Sequence, residues 1–126
     1  MIQKAEQIFI PIKNVETNTL KLKNFISDNF QIPNVNLDII CEFINKDIEL
    51  KKIIFQLPDI IKQAVSYDNL SIKFFDEFQD EFTQLEIEIY VKLDPISSLD
   101  IEQQLEHKLY QLFQWDSVDK ILLIMD

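Results

Sequence analysis

Carboxylates are the groups in this sequence most able to do chemistry, and they crowd one stretch. Between Phe75 and Phe82 the chain reads Phe-Asp-Glu-Phe-Gln-Asp-Glu-Phe, so Asp76, Glu77, Asp80 and Glu81 stand beside Phe78 and Phe82. Four anions next to two aromatic rings suit a basic protein surface, with the charges steering the encounter and the rings serving as anchors. The competing reading is a solvated connection whose rings tuck under a sheet edge. A hard divalent cation would also accept such oxygens, but the glycine of a calcium loop is missing and no six-ligand spacing is present.

Just beyond, Glu86, Glu88, Tyr90 and Lys92 fall on one side of an alternating stretch. Two carboxylates there could work as acid and base, yet neighbours two apart on a strand lie about 7 Å apart. Cross-strand pairing, for instance with Lys73, is the plainer role. Nucleases of the restriction type need an acid two residues before the strand lysine, and here Tyr90 stands at that position before Lys92. The one histidine, His107, falls off the apolar stripe of its helix, with no serine or cysteine at local spacing to use it. Cys41 lies on a buried stripe and acts as a small apolar residue. Trp115, with Tyr110 and Phe113, reads as core or core lid, with a protein-contact anchor as the alternative.

These groups must be held by elements that the periodicity predicts. Leu85, Ile87, Ile89, Val91 and Leu93 alternate with polar residues over 84–94, which marks a strand with one dry face. Leu70, Ile72 and Phe74 alternate likewise, and 76–83 joins the two strands as an antiparallel hairpin. Pro95 to Ser98 then stops the second strand and caps a helix over 98–114, with Asp100 and Glu102 in its first turn and Ile101, Leu105, Leu109 and Leu112 as its buried stripe. Val118 to Met125 is apolar almost throughout and is expected to be a strand covered on both faces, parallel to 84–94 after a β–α–β crossover.

The first half reads differently. Ile8, Ile10 and Ile12 alternate around Pro11, an edge strand at best. A helix over 18–30 capped by Thr17 follows, then a stripe of Leu37, Ile40, Cys41 and Ile44 capped by Asn34 or Asn36. A third run starts after Asp47, and Pro58 within it either kinks one helix or, the favoured reading, opens a new one. Residues 7–46 resemble the ribbon-helix-helix repressors in order of elements. They depart from them in Pro11, in a turn without glycine and in having Lys13 as the only basic group on the would-be reading face, so DNA binding is not carried over. The fold class is therefore α+β: short helices with an edge strand, then a β-β-α-β unit forming a small mixed sheet, in one domain over 1–126.

Composition narrows function further. The 126 residues include no glycine and no arginine, so neither a glycine-rich phosphate loop nor bidentate recognition of phosphate or guanine can form. Residues 1–66 balance eight acids with eight lysines, whereas 67–126 set 14 acids against Lys73, Lys92, Lys108 and Lys120, so the whole net charge of −10 sits in the second half. Such a charge repels nucleic acid, although it is compatible with mimicry of it. No apolar run spans a membrane, no signal peptide is evident and one cysteine makes no internal disulfide, which together imply the cytoplasm.

The reading that follows is a non-enzymatic, antitoxin-, immunity- or inhibitor-like module without a cofactor. It would mask a basic protein partner through Asp76, Glu77, Phe78, Asp80, Glu81, Phe82, Glu86, Glu88 and Tyr90. The alternatives are a small metal-dependent hydrolase or nuclease, and a self-associating structural subunit forming a homodimer through its sheet edges and N-terminal strand.

Overall fold

A computed structural model describes residues 20–33, 37–76 and 83–126. The expected edge strand at 7–13, the caps Thr17, Asn34 and Asn36, and the 77–82 connection lie outside the described residues. Within them the chain is an α+β fold, with helices leading into a three-stranded mixed sheet.

Helix α1 (20–29) buries Leu22 and Ile26 and sets Phe25 against Phe55 at 4.9 Å between ring centroids. Helix α2 (Leu37–Asn45) buries Ile40, Cys41 and Ile44, the stripe read from the sequence. Helix α3 (Ile48–Ala64) is one helix and not two, because Pro58 does not start a new one. Proline inside a helix forfeits a hydrogen bond and costs roughly 3 kcal/mol. Here it is buried among Ile54, Leu57, Ile60 and Ile61, and burying that continuous face outweighs the local penalty.

Strands β1 (Asn69–Asp76) and β2 (Thr83–Tyr90) pair antiparallel, with Ile72 opposite Ile87. Strand β3 (Ile121–Met125) pairs parallel to β2, as the crossover requires, and the order is β1-β2-β3. Leu70, Ile72, Leu85, Ile87, Ile89, Ile121 and Leu123 form the dry face over which the helices pack. β2 ends four residues earlier than its alternation implied, and Leu93 is exposed.

The crossover helix α4 (Pro95–Leu112) begins before Ser98, because Asp94 is its cap. The Asp94 carboxylate accepts the Ser97 N–H at 3.1 Å, and Pro95 occupies the first position, where its missing donor does no harm. Asp100 and Glu102 consequently lie past the first turn, and Leu112 is exposed while Leu105 and Leu109 are buried. Val118 closes a short helix α5 (Trp115–Val118) instead of starting β3.

Among the described residues β3 is an edge strand and not one covered on both faces: Leu122 is 40% exposed. Its rim is nonetheless shielded. Leu123 is only 1% exposed, and the Met125 N–H points to the Glu102 carboxylate at 3.4 Å. At the other edge Gln31 bridges to β1, its N–H reaching the Leu70 carbonyl and its own carbonyl accepting the Ile72 N–H, each at 2.8 Å.

Among the described residues no φ is positive. The helices α3 and α4 end on extended residues, Val65 (φ −157°) and Phe113 (φ −132°), whose N–H groups close on Ile61 and Leu109. No described helix is long and apolar enough to cross a membrane.

The two faces of the sheet should differ sharply on truncation. Ile87→Ala is expected to cost about 2–5 kcal/mol in urea unfolding, and Leu122→Ala less than about 1 kcal/mol. Equal losses would contradict the assignment of faces.

Candidate functional site

The outer face of the sheet carries the co-facial row Lys73, Glu86, Glu88 and Tyr90. Lys73 is in register with Glu86, and Ser71 with Glu88. Lys73 donates diagonally to Glu88 Oε1 and stands 4.0 Å from Glu86 Oε2. Tyr90 donates its hydroxyl to Glu88 Oε2 at 2.8 Å. The cross-strand pairing read from the sequence is therefore present, reaching both carboxylates through one lysine. Glu88 is 7% exposed.

The hydrogen bond from Lys73, then that from Tyr90, holds the Glu88 carboxyl below its ordinary value, while the hydrogen bond it shares with Glu88 pushes Asp126 up. Of the pair, Glu88 keeps the charge and Asp126 holds the proton longer. The Glu88 bond raises both Lys73 and Tyr90. A carboxylate shifted down beside an ammonium shifted up leaves neither group poised for proton transfer near neutrality. The Ser71 hydroxyl, buried on the same face, has no hydrogen-bond partner among the described residues.

Of the other sites singled out, Glu77, Phe78, Asp80, Glu81 and Phe82 lie outside the described residues. Asp76 is placed only as the backbone end of β1, in register with Thr83. Lys92 is exposed beyond the end of β2, and the acid position before it is filled by Tyr90. His107 is exposed on α4 with its Nε2 3.0 Å from the Gln111 amide nitrogen. Cys41 is buried, and that burial pushes its thiol up, away from reactivity. Among the described residues no three His, Cys, Asp or Glu side chains gather as metal ligands would.

Two features escaped the sequence reading. Trp115 is neither core nor lid, being 70% exposed, with its ring edge-on to Tyr110 at 6.2 Å. The other is Asp47, whose carboxylate caps α3 by accepting the Glu49 and Leu50 N–H groups at 3.0 and 3.1 Å. It also accepts the Ser117 hydroxyl at 2.8 Å and the Lys120 ammonium at 2.9 Å. The cap was legible as an Asp before an apolar-periodic run, but its two partners lie 70 and 73 residues away, a separation no local pattern encodes.

Burial alone would raise the Asp47 carboxyl. The bonds from Lys120, Leu50 N–H and Ser117, with the Lys120 charge, outweigh it and hold the group below its ordinary value. A carboxyl lowered in the folded state stabilises above the unfolded value of about 4, and that contribution is lost as pH falls through the folded value. Asp47→Asn is thus expected to lose about 1–3 kcal/mol at pH 7. The gap from the parent should shrink as urea titrations move from pH 5 towards pH 2. Parallel stability curves would show that the charge of Asp47 is immaterial.

Comparison with protein-family models, with curated proteins and with solved structures finds no match to this chain.

Proposed function

We propose that this protein is a non-enzymatic, acidic binding module of the antitoxin, immunity or inhibitor kind, which masks a basic surface on another protein. The observation that supports this is an excess of carboxylates that the chain has too few cations to neutralise. The acidic half has only four lysines, and its Lys73 and Lys120 are already engaged by Glu88 and Asp47. Because Lys73 is bonded to Glu88 and approaches Glu86, we assign the contact with the partner chiefly to Asp76, Glu77, Asp80 and Glu81. Phe78, Phe82 and Tyr90 are its candidate contact rings. Complementary charge of this kind accelerates encounter and rejects unsuitable partners, and it disfavours direct contact with phosphate backbones.

The test is capture of a co-purifying partner followed by affinity measurement across ionic strength. Affinity should drop about tenfold or more from 50 to 300 mM salt. The combined substitution Asp76→Asn, Glu77→Gln, Asp80→Asn and Glu81→Gln should slow association. A salt-insensitive complex sinks the proposal. A melting temperature that climbs with micromolar Mg²⁺, Mn²⁺ or Ca²⁺ would favour the hydrolase alternative instead.

A further inference from the structure

We infer that the groove between α4 and the start of β3 receives a lysine or arginine side chain of a basic partner segment, with Trp115 as the aromatic anchor beside it. The inference rests on the acidic-module reading above and gives it a contact point. The groove measures about 470 Å³ and is lined by Glu106 and Tyr110 of α4, Asp119, Leu122 of β3 and Gln84 of β2.

Three observations converge on a cationic occupant. The first is charge. Glu106 and Asp119 line the groove, and Asp116 lies on the adjoining α5, whereas the two lysines of this region are turned away. Lys108 donates to Gln63 at 2.7 Å and Lys120 to Asp47 at 2.9 Å, both on or beside α3. The second is the exposed ring pair. The only tryptophan in the chain is 70% exposed and meets Tyr110 edge to face, at 6.2 Å and 87°. Tryptophan and tyrosine faces attract ammonium and guanidinium groups, and such rings dominate the energetics of protein contacts. The third is order before binding. Tyr110 donates its hydroxyl to Asp119, and Gln84 Nε2 donates to the Asp119 carbonyl at 3.0 Å, so the walls are already fixed to one another.

Position ties the groove to the acidic hairpin. Gln84 follows Thr83, which pairs with Asp76, so the groove opens at the end of the sheet from which residues 77–82 depart. Engagement by side chains is favoured over addition of a strand, since Glu102 occupies the Met125 N–H at the β3 rim and Leu123 is buried.

The experiment uses the full chain and two acetylated, amidated pentapeptides, one of alternating leucine and arginine and one with glutamine replacing arginine. At low ionic strength the arginine peptide should shift the Trp115 indole N–H and quench its fluorescence saturably, binding at least about fivefold tighter than its glutamine counterpart. Trp115→Ala and the pair Glu106→Gln, Asp119→Asn should each weaken it at least about fivefold, with circular dichroism unchanged. Salt-sensitive binding that perturbs 76–90 but leaves Trp115 unmoved overturns the groove and leaves the acidic module standing. No salt-sensitive binding anywhere overturns both. A concentration-dependent dimer abolished by Trp115→Ala would make the groove a self-interface, which also overturns the inference.

Discussion

The backbone of this protein is built under one constraint: it contains no glycine, and no described residue takes a positive φ. Chains ordinarily end helices and tighten hairpins by spending a residue in the left-handed region, where glycine carries no steric cost. Here α3 and α4 instead run straight into extended residues, Val65 and Phe113. A two-residue hairpin of the favoured type needs positive φ at its centre. Six residues separate β1 from β2, and five of those six are acidic or aromatic.

What a flexible turn residue does not supply, side chains do. Asp47 is the clearest case: one carboxylate ends the α2–α3 turn, caps α3, and ties down α5 and the entry to β3 through Ser117 and Lys120. Glu49 adds a further tie by accepting the Gln114 N–H at 3.1 Å. The last elements of the chain are therefore fastened to the start of α3 by charged hydrogen bonds as well as by the shared apolar core. On the opposite face of the sheet Lys73 performs a similar service, holding Glu88 and approaching Glu86 across the β1–β2 pair.

Much of this was legible in the residues alone. Period-two alternation around Ile72 and Ile87 marks the antiparallel pair β1 and β2 and its dry face, because one buried side leaves no freedom of register. The parallel setting of β3 followed from connection length and handedness. The prolines were less legible. Pro58 was expected to break a helix that runs through it, since the energy of burying Leu57 and Ile61 is tertiary and invisible locally. Pro95 to Ser98 marks both the end of a strand and the start of a helix, but the cap is Asp94 and the helix begins at Pro95 itself, three residues before the expected start. Trp115 reads as core or core lid, with a protein-contact anchor as the alternative, and the short α5 leaves it exposed. On the candidate surface, Glu86, Glu88 and Tyr90 were identified as co-facial, but only the coordinates reveal how far they satisfy one another. The Glu106, Tyr110 and Asp119 groove joins residues from separate elements and left no trace in any window of sequence.

The carboxylate of Glu102 at the outer rim of β3 has a further consequence. A hydrogen-bonded sheet can in principle be lengthened strand by strand, and a short apolar run such as Ile121 to Met125 is the kind of template that invites runaway fibre growth. An anion from the crossover helix lies over that rim at the Met125 N–H, beside a Leu123 already sealed from water, where the sheet of the described residues stops at three strands. The Glu102 carboxylate thus sets a negative charge against an apolar edge, an arrangement that disfavours pairing with a further strand.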